Sequence, residues 1–335
     1  MENLKSLGES RRNAVFEALK TAFGAAAHSD FQPISGGVSG AAILGFEVRD
    51  RRYVLRVEPE RVGLHDVERA YGCMRVAAEA GAAPRVRHAD PANGVAIIDF
   101  VEGVPLSGYP GGELGLARGL GKLVERVQAA PLFPALGNYP DTIAEMLAAL
   151  RTSPHVGPAD FEACSIGLTR IRSVLRWTPS ALVSSHNDPN PRNLLFDGER
   201  LWLIDWELGF RNDPMVDVAI LATELIESPD AQVVLLETAL GVTADAAAVA
   251  RLEVIKLLTR LFYGCIVLDG LGQHFTPSPG ARRALSPAGF RRAVGAGRLT
   301  SGAPETAYAF ALMSLAAFAR ETASPRLDEV LRLVG

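Results

Sequence analysis

The chain has 335 residues, of which 48% are apolar and 21% charged, and its formal net charge is −4. At about 150 residues per domain this length predicts two domains. The composition excludes a disordered chain and a coiled coil, and the net negative charge disfavours nucleic acid and anionic lipid as partners.

The three cysteines, at 73, 164 and 265, lie far apart and form no C-x-x-C pair. This usage is typical of neither a disulfide framework nor a zinc site, and it favours a reducing, cytoplasmic location. The sequence contains no signal-peptide pattern and no apolar stretch of the ~18 residues that a membrane span requires. We therefore expect neither secretion nor membrane insertion.

The first 102 residues carry a mixture of helical and strand-like patterns. In chain order, the apolar spacing predicts a helix over 10–23, strands over 34–35, 42–48 and 53–57, a helix over 64–80, and strands over 85–89 and 95–101. Residues 49–52 and 91–94 fall between strands, and Asn93-Gly94 is a strong hairpin signal. This part of the chain therefore predicts an antiparallel sheet with a prominent helix.

Beyond residue 102 the pattern becomes mostly helical. Helices are predicted over 116–128, 142–150, 217–227, 246–268 and 307–322, with one strand-like island over 193–206. We therefore place a domain boundary near residue 102, which gives domains 1–102 and 103–335. The fold class is α+β.

The densest polar signal lies in residues 184–193, and a pair of short apolar runs around Asp197-Gly198 follows it. If these runs form a hairpin, antiparallel pairing brings Asn193 and Asp205 together at its open end. Amide and carboxylate oxygens suit Mg²⁺, which is usually held by one or two protein oxygens together with substrate phosphates. A magnesium site is therefore predicted at the end of this hairpin.

Asp188 lies five residues before Asn193, in a segment with prolines at 189 and 191. These prolines exclude a regular helix or a central strand, so a rigid loop should present the carboxylate. A carboxylate beside a metal–phosphate site can accept or orient the proton of an attacking hydroxyl. Asp188 is our candidate for that role.

The pattern His186-x-Asp188-x-x-x-x-Asn193, followed by the segment 204–207 with sequence Ile-Asp-Trp-Glu, resembles the motifs of the aminoglycoside phosphotransferase and choline kinase superfamily. The continuation Asn-Asp-Pro at 212–214 is similar to that of bacterial choline and ethanolamine kinase-like members. The resemblance implies a bilobal, protein-kinase-like fold, with a nucleotide lobe over 1–102 and a catalytic and substrate lobe over 103–335. It also implies ATP and Mg²⁺ as cofactors.

Specific roles follow from the same resemblance. It implies Asp188 as the catalytic base and Asn193 and Asp205 as the Mg²⁺ ligands. His186 would support the catalytic loop at the reaction centre, and Asp217 would hydrogen-bond to that loop from the next helix.

The N-terminal half fits the same scheme. A glycine-rich loop that contains Gly36, Gly37, Ser39 and Gly40 lies between two predicted strands, where backbone N–H groups could bind nucleotide phosphates. Arg56 occupies the strand position at which protein kinases carry a phosphate-binding lysine, and Glu68 on the following helix is its expected ion-pair partner. The resemblance places the adenine against backbone groups around Asp99, Phe100 and Val101.

These features predict a small-molecule kinase that transfers the γ-phosphate of ATP to a hydroxyl, with an amino alcohol such as choline or ethanolamine as the expected acceptor. An aminoglycoside is the alternative acceptor. A catalytically silent nucleotide-binding relative and a two-metal phosphohydrolase are the alternative classes, and only the phosphohydrolase would release phosphate without ATP. The sequence indicates neither the acceptor's identity nor the oligomeric state.

Overall fold

The computed structural model describes residue 4 and residues 7–34, 41–59, 66–272, 274–278 and 284–335. The chain divides into two compact units. The first comprises Met1–Leu136 and Leu182–Val242, and the second comprises Gly137–Ala181 and Thr243–Gly335. The functional boundary near residue 102 stays a prediction.

The first unit contains a five-stranded antiparallel sheet with the strand order β1-β2-β3-β5-β4. The elements up to the end of this sheet are α1 (Glu9–Phe23), β1 (Gln32–Pro33), β2 (Ala42–Val48), β3 (Arg51–Val57), α2 (Val67–Glu79), β4 (Val86–Asp90) and β5 (Val95–Asp99). The predicted order of helices and strands is confirmed over these residues. The strand expected at 34–35 lies two residues earlier, and Ser35 is outside the described residues.

The alternation of side chains along β3 separates the core from the face that carries the candidate site. Tyr53, Leu55 and Val57 are buried in a cluster with Val15 and Leu19 of α1. Because successive strand residues point to opposite faces, Arg56 lies on the other face of the sheet.

The β2–β3 hairpin is tighter than the sequence predicted. Its turn consists of Arg49 and Asp50, both with positive φ (51° and 60°), as a two-residue type I′ turn requires. Arg51 and Arg52 therefore belong to β3 and pair with Val48 and Glu47. Their exposed, charged side chains masked this extension in the sequence pattern.

The rest of the first unit combines helices with two short strand pairs. Its elements are α3 (Gly112–Gln128), β6 (Val183–Ser185), β7 (Leu194–Phe196), β8 (Leu201–Leu203), β9 (Phe210–Asn212), α6 (Met215–Glu224) and α7 (Pro229–Leu240). β7 pairs with β8 in the predicted hairpin, and β6 pairs with β9.

The second unit consists of helices in the described part of the chain. They are α4 (Tyr139–Ala149), α5 (Pro158–Val174), α8 (Ala246–Leu271), α9 (Pro287–Gly295), α10 (Pro304–Thr322) and α11 (Arg326–Val334). α8 is the central element and packs against α4, α10 and α11. The α+β class is thus confirmed, with an antiparallel sheet near the N-terminus and a mostly helical remainder. None of the described helices combines the length and the apolar character needed to cross a membrane.

Candidate active site

The segment 186–193 is an irregular loop with both ends fixed. β6 precedes it and pairs with β9, while β7 follows it and pairs with β8. Pro189 and Pro191 lack a backbone N–H, so the loop continues neither strand pair. Three of the predicted site residues lie in this loop: His186 begins it, Asp188 follows two residues later, and Asn193 ends it.

Asp217, in the first turn of α6, holds the start of the loop. Its fully buried carboxylate accepts the backbone N–H of His186 at 2.8 Å and that of Asn187 at 2.7 Å. Burial raises the pKa of Asp217, and the two hydrogen bonds act in the opposite direction because they favour the ionised form. The contact that the resemblance implied for Asp217 is therefore present.

His186 connects the loop to the hairpin. Its ring Nδ1 accepts the backbone N–H of Asp188 at 3.2 Å, and Nε2 lies 2.9 Å from the carbonyl oxygen of Ile204. An N–H can only donate and a carbonyl can only accept, so these partners assign the proton to Nε2. His186 is completely buried, and its two ring contacts connect Asp188 to the residue before Asp205.

Asn187 is a structural residue that the sequence analysis did not single out. Its backbone has φ 63°, a left-handed conformation that asparagine tolerates better than most residues. Its side-chain nitrogen donates to the carbonyl oxygens of Ser185, Leu208 and Phe210, and Asn212 donates to its side-chain oxygen at 2.6 Å. The signal available in the sequence was an asparagine directly before Asp188, the candidate base.

The carboxylate of Asp188 is fixed by two side-chain amides. Asn190 donates to Oδ1 at 2.8 Å, and Asn193 donates to Oδ2 at 2.9 Å. Asp188 is partly exposed, so its hydrogen-bonded carboxylate is still accessible to a ligand.

Asn193 and Asp205 are brought together as the hairpin predicted. Leu194 pairs with Leu203, and the backbone N–H of Ile204 donates to the carbonyl oxygen of Asn193 at 2.9 Å. Asp205 follows directly, with φ 66°, a left-handed conformation that is costly for a residue other than glycine and is often found at functional sites.

The oxygen atoms of this pair fit a magnesium ion. The side-chain nitrogen of Asn193 donates to Asp188, which leaves Oδ1 as the side-chain atom available to a ligand. Arg56 binds Oδ1 of Asp205 at 2.8 Å. No described residue donates a hydrogen bond to Oδ1 of Asn193 or to Oδ2 of Asp205. One amide oxygen and one carboxylate oxygen are the ligand set that Mg²⁺ accepts when nucleotide phosphates complete its shell.

Arg56 reaches the same centre from the sheet. Its guanidinium forms ion pairs with Asp205 and with Glu58, a buried residue just beyond β3. Burial by itself would lower the pKa of Arg56, but the nearby carboxylates of Asp205 and Glu58 outweigh it and raise the pKa. Arg56 therefore remains charged beside the candidate metal position.

The predicted partner of Arg56 was wrong. Glu68 is exposed in the first turn of α2, whereas Glu58 occupies the position next to the guanidinium. Residues two apart in an extended chain point to the same face, so Arg56 and Glu58 are natural neighbours. The spacing Arg-x-Glu was the available signal.

The segment predicted to contact adenine has one free backbone donor. The backbone N–H of Asp99 donates to the carbonyl oxygen of Arg85 at 2.9 Å, and that of Phe100 donates to the carbonyl oxygen of Arg52 at 3.2 Å. Within the described part of the chain, no backbone or side-chain group accepts the N–H of Val101. The Asp99 carboxylate is taken up by Arg87, with bonds of 2.6 and 2.9 Å. Val101 is thus the member of this set best suited to donate to a base.

The glycine-rich loop cannot be placed beside these groups. Gly36, Gly37, Ser39 and Gly40 lie outside the described residues. Their role as a phosphate-binding loop stays a prediction.

Helix α2 contacts the segment that follows Asp205 through a residue that the sequence analysis missed. Arg69 is buried and donates to the carbonyl oxygens of Glu207, at 2.8 Å, and of Gly209. Cys73, one turn along the helix, packs so closely against Gly209 that a Cβ there would lie 2.9 Å from the Cβ of Cys73. An arginine on the apolar face of a predicted helix was the signal for this contact.

Comparison with curated proteins gives a short, local match. Over 53 residues the chain is 45% identical to protein LicA of Haemophilus influenzae, which corresponds to 16% of this chain and 20% of that protein. The chain therefore matches about a fifth of the length of this relative.

Comparison with solved structures covers nearly the whole chain. A choline/ethanolamine kinase family protein from Mesorhizobium loti has a TM-score of 0.67 at 22% identity, covering 96% of this chain and 98% of that one. Choline kinase LicA from Streptococcus pneumoniae has a TM-score of 0.60 at 14% identity (92% and 100% covered), and the spectinomycin phosphotransferase APH(9)-Ia has a TM-score of 0.57 at 13% identity (90% and 98% covered). These likenesses establish the fold, which is the kinase-like fold that the sequence predicts.

The family itself is established by a direct match. The model of the phosphotransferase enzyme family matches residues 30–252, about two thirds of the chain and the whole span from the sheet to the helix that follows the candidate site. This agrees with the resemblance drawn from the motifs and with the predicted enzyme class, a small-molecule kinase. The chain belongs to the phosphotransferase enzyme family.

Proposed function

We propose that the protein is an ATP- and Mg²⁺-dependent kinase that phosphorylates a hydroxyl group of a small molecule. The observation that supports this most strongly is the convergence of three side chains. Asn193 donates to Asp188, the backbone pairing of Asn193 with Ile204 places Asp205 at the same open end of the hairpin, and Arg56 is paired with Asp205. Each of these four residues has a distinct task in phosphoryl transfer.

Asp188 acts on the acceptor. Its carboxylate orients the acceptor hydroxyl and takes its proton while the hydroxyl oxygen forms a bond to the γ-phosphorus. The bond between the γ-phosphorus and the oxygen that bridges it to the β-phosphate breaks, and ADP leaves. Asn190 and Asn193 each donate a hydrogen bond to this carboxylate.

Arg56 and the two metal ligands act on the nucleotide. Arg56 binds phosphate oxygens, and Glu58 keeps its guanidinium in place when the phosphates compete with Asp205 for it. Asn193 and Asp205 would hold Mg²⁺ through Oδ1 of the amide and Oδ2 of the carboxylate. When bound, Mg²⁺ neutralises the charge that develops on the phosphates. Val101 donates its backbone N–H to the adenine.

An amino alcohol of the choline or ethanolamine type is the acceptor we favour. Several proteins of similar fold are choline kinases or ethanolamine kinases, and one LicA structure is a complex with AMP. An aminoglycoside is the second candidate, because the spectinomycin phosphotransferase among the similar folds is a complex with ADP and spectinomycin. We place the reaction in the cytoplasm, in line with the reduced cysteines.

The test is ADP release from Mg-ATP by the purified protein, measured with choline, ethanolamine, homoserine, simple sugars and several aminoglycosides. Asp188→Ala should lower turnover by at least about 100-fold, because general base catalysis contributes this much or more. Glu199→Ala is the matched control, since Glu199 is an exposed carboxylate at the turn of the same hairpin.

Turnover that requires one acceptor and Asp188 would support the proposal and identify the acceptor class. If Mg-ATP binds and no acceptor is turned over, the silent nucleotide-binding alternative replaces the kinase. Phosphate release without ATP from a phosphorylated compound would favour the phosphohydrolase.

A further inference from the structure

Asn190, which none of the motifs included, makes three hydrogen bonds within the catalytic loop. Its side-chain nitrogen donates to Oδ1 of Asp188 at 2.8 Å. Its side-chain oxygen accepts the backbone N–H of Arg192 at 2.9 Å, and its backbone carbonyl accepts the N–H of Asn193 at 2.9 Å. Asn190 therefore connects the loop turn to the candidate base.

The bond to Asp188 has a specific consequence for the carboxylate. The terminal torsion of an aspartate side chain is broad, so a single hydrogen bond leaves the plane of the carboxylate free to rotate. Here Asn193 holds Oδ2 and Asn190 holds Oδ1. Two donors on different oxygens fix both the position and the plane of the group.

We propose that Asn190 is a positioning residue that holds the Asp188 carboxylate in its productive orientation. This inference rests on the proposed function, since it assigns Asn190 a role in proton acceptance by Asp188. A misplacement of about 1 Å in a reacting group can lower the rate by about 100-fold, so the loss of this contact should be visible in kcat.

The alternative is that Asn190 only stabilises the turn. The two roles use different atoms, because the turn uses the side-chain oxygen and Asp188 uses the side-chain nitrogen. They can therefore be separated by substitution. Serine keeps an oxygen that can accept the N–H of Arg192, but it is too short to reach Asp188. Aspartate also keeps the turn oxygen, and it replaces the donor with a second negative charge.

The experiment compares Asn190→Ser and Asn190→Asp with the wild type at pH 8, where carboxylates are ionised. The readouts are kcat, the KM for ATP and the thermal midpoint. Positioning predicts a kcat at least about tenfold lower in Asn190→Ser and lower still in Asn190→Asp, because like charges repel. The KM for ATP and the midpoint should stay near the wild-type values.

Wild-type kcat in Asn190→Ser overturns the inference, whatever Asn190→Asp does. A loss of kcat that is matched by a fall in the thermal midpoint also overturns it, since the turn then explains the effect. If the wild type itself shows no Asp188-dependent turnover, the proposed function fails, and the role of Asn190 fails with it. Failure of the two proposals is thus distinguishable, because only failure of the function abolishes the wild-type signal.

Discussion

At the scale of single residues, Arg56 lies between two carboxylates, and its environment defines which acidic side chain supports it. Glu58→Gln removes one charge from a buried pair while it keeps the side-chain shape. A hydrogen bond to a charged group contributes about 1.5–3 kcal/mol, so the KM for ATP should rise about tenfold or more. Glu68→Gln, on the exposed first turn of α2, is the control and should leave the KM unchanged. A raised KM for Glu68→Gln together with an unchanged KM for Glu58→Gln would instead identify Glu68 as the partner of Arg56.

Asp217 is the buried acceptor at the start of the loop 186–193. In Asp217→Asn one accepting oxygen becomes a donor that faces a backbone N–H of His186 or Asn187. An unsatisfied buried group costs about 1–3 kcal/mol, and the free energy of unfolding from urea denaturation should fall by that amount. Asp230→Asn, an exposed aspartate in the first turn of α7, should change it little. Equal stability of the two variants would contradict the anchoring role.

The residues at the centre of the site differ in how far sequence could predict them. Asn193 and Asp205 were predictable because hairpin register is local and one Asp-Gly turn fixes it. The partner of Arg56 was not, because that expectation came from a family pattern rather than from the strand spacing in this chain. Asn190 makes its contacts through loop geometry, which has no periodicity to detect.

Among the helices and strands, α2 contacts the segment that follows Asp205, one of the two proposed Mg²⁺ ligands. Arg69→Met keeps the apolar stem of the side chain and removes both bonds to Glu207 and Gly209. Loss of groups that orient metal ligands typically costs 10–100-fold, so the Mg²⁺ concentration for half-maximal rate should rise by at least about tenfold.

The control for Arg69 lies on the same helix. Arg75 also donates to a backbone carbonyl, that of Ala89 in β4, which is remote in sequence from the metal segment. Arg75→Met should leave the Mg²⁺ dependence unchanged. If both variants shift it equally, α2 acts through its general stability rather than through Arg69.

Helix α5 illustrates why parts of the second unit escaped prediction. Its buried positions include Cys164, Gly167, Leu168 and Ile171, so small residues occupy half of the face that a sequence pattern would detect. Gly167 is small because a Cβ there would lie 2.8 Å from the Cβ of Thr322 in α10. Close helix packing thus removed the large apolar residues on which the periodicity depends.

At the scale of the whole molecule, all three cysteines are buried as free thiols. Burial raises the pKa of Cys73 and Cys164 to about 12 and raises that of Cys265 as well. The thiolate is the reactive form, so the native protein at pH 8 should not react with a thiol reagent on the timescale of minutes, and three thiols should react after denaturation. A fast-reacting thiol in the native protein would contradict this packing.

Transfer of phosphate to an acceptor is tested most directly by a phosphorus NMR time course with Mg-ATP and the acceptor that gave turnover in the ADP-release assay. We expect a new phosphomonoester signal that grows together with ADP for the wild type and Glu199→Ala. For Asp188→Ala it should grow at least about 100-fold more slowly. Inorganic phosphate as the sole product, or equal formation of the phosphomonoester by Asp188→Ala, would contradict this expectation.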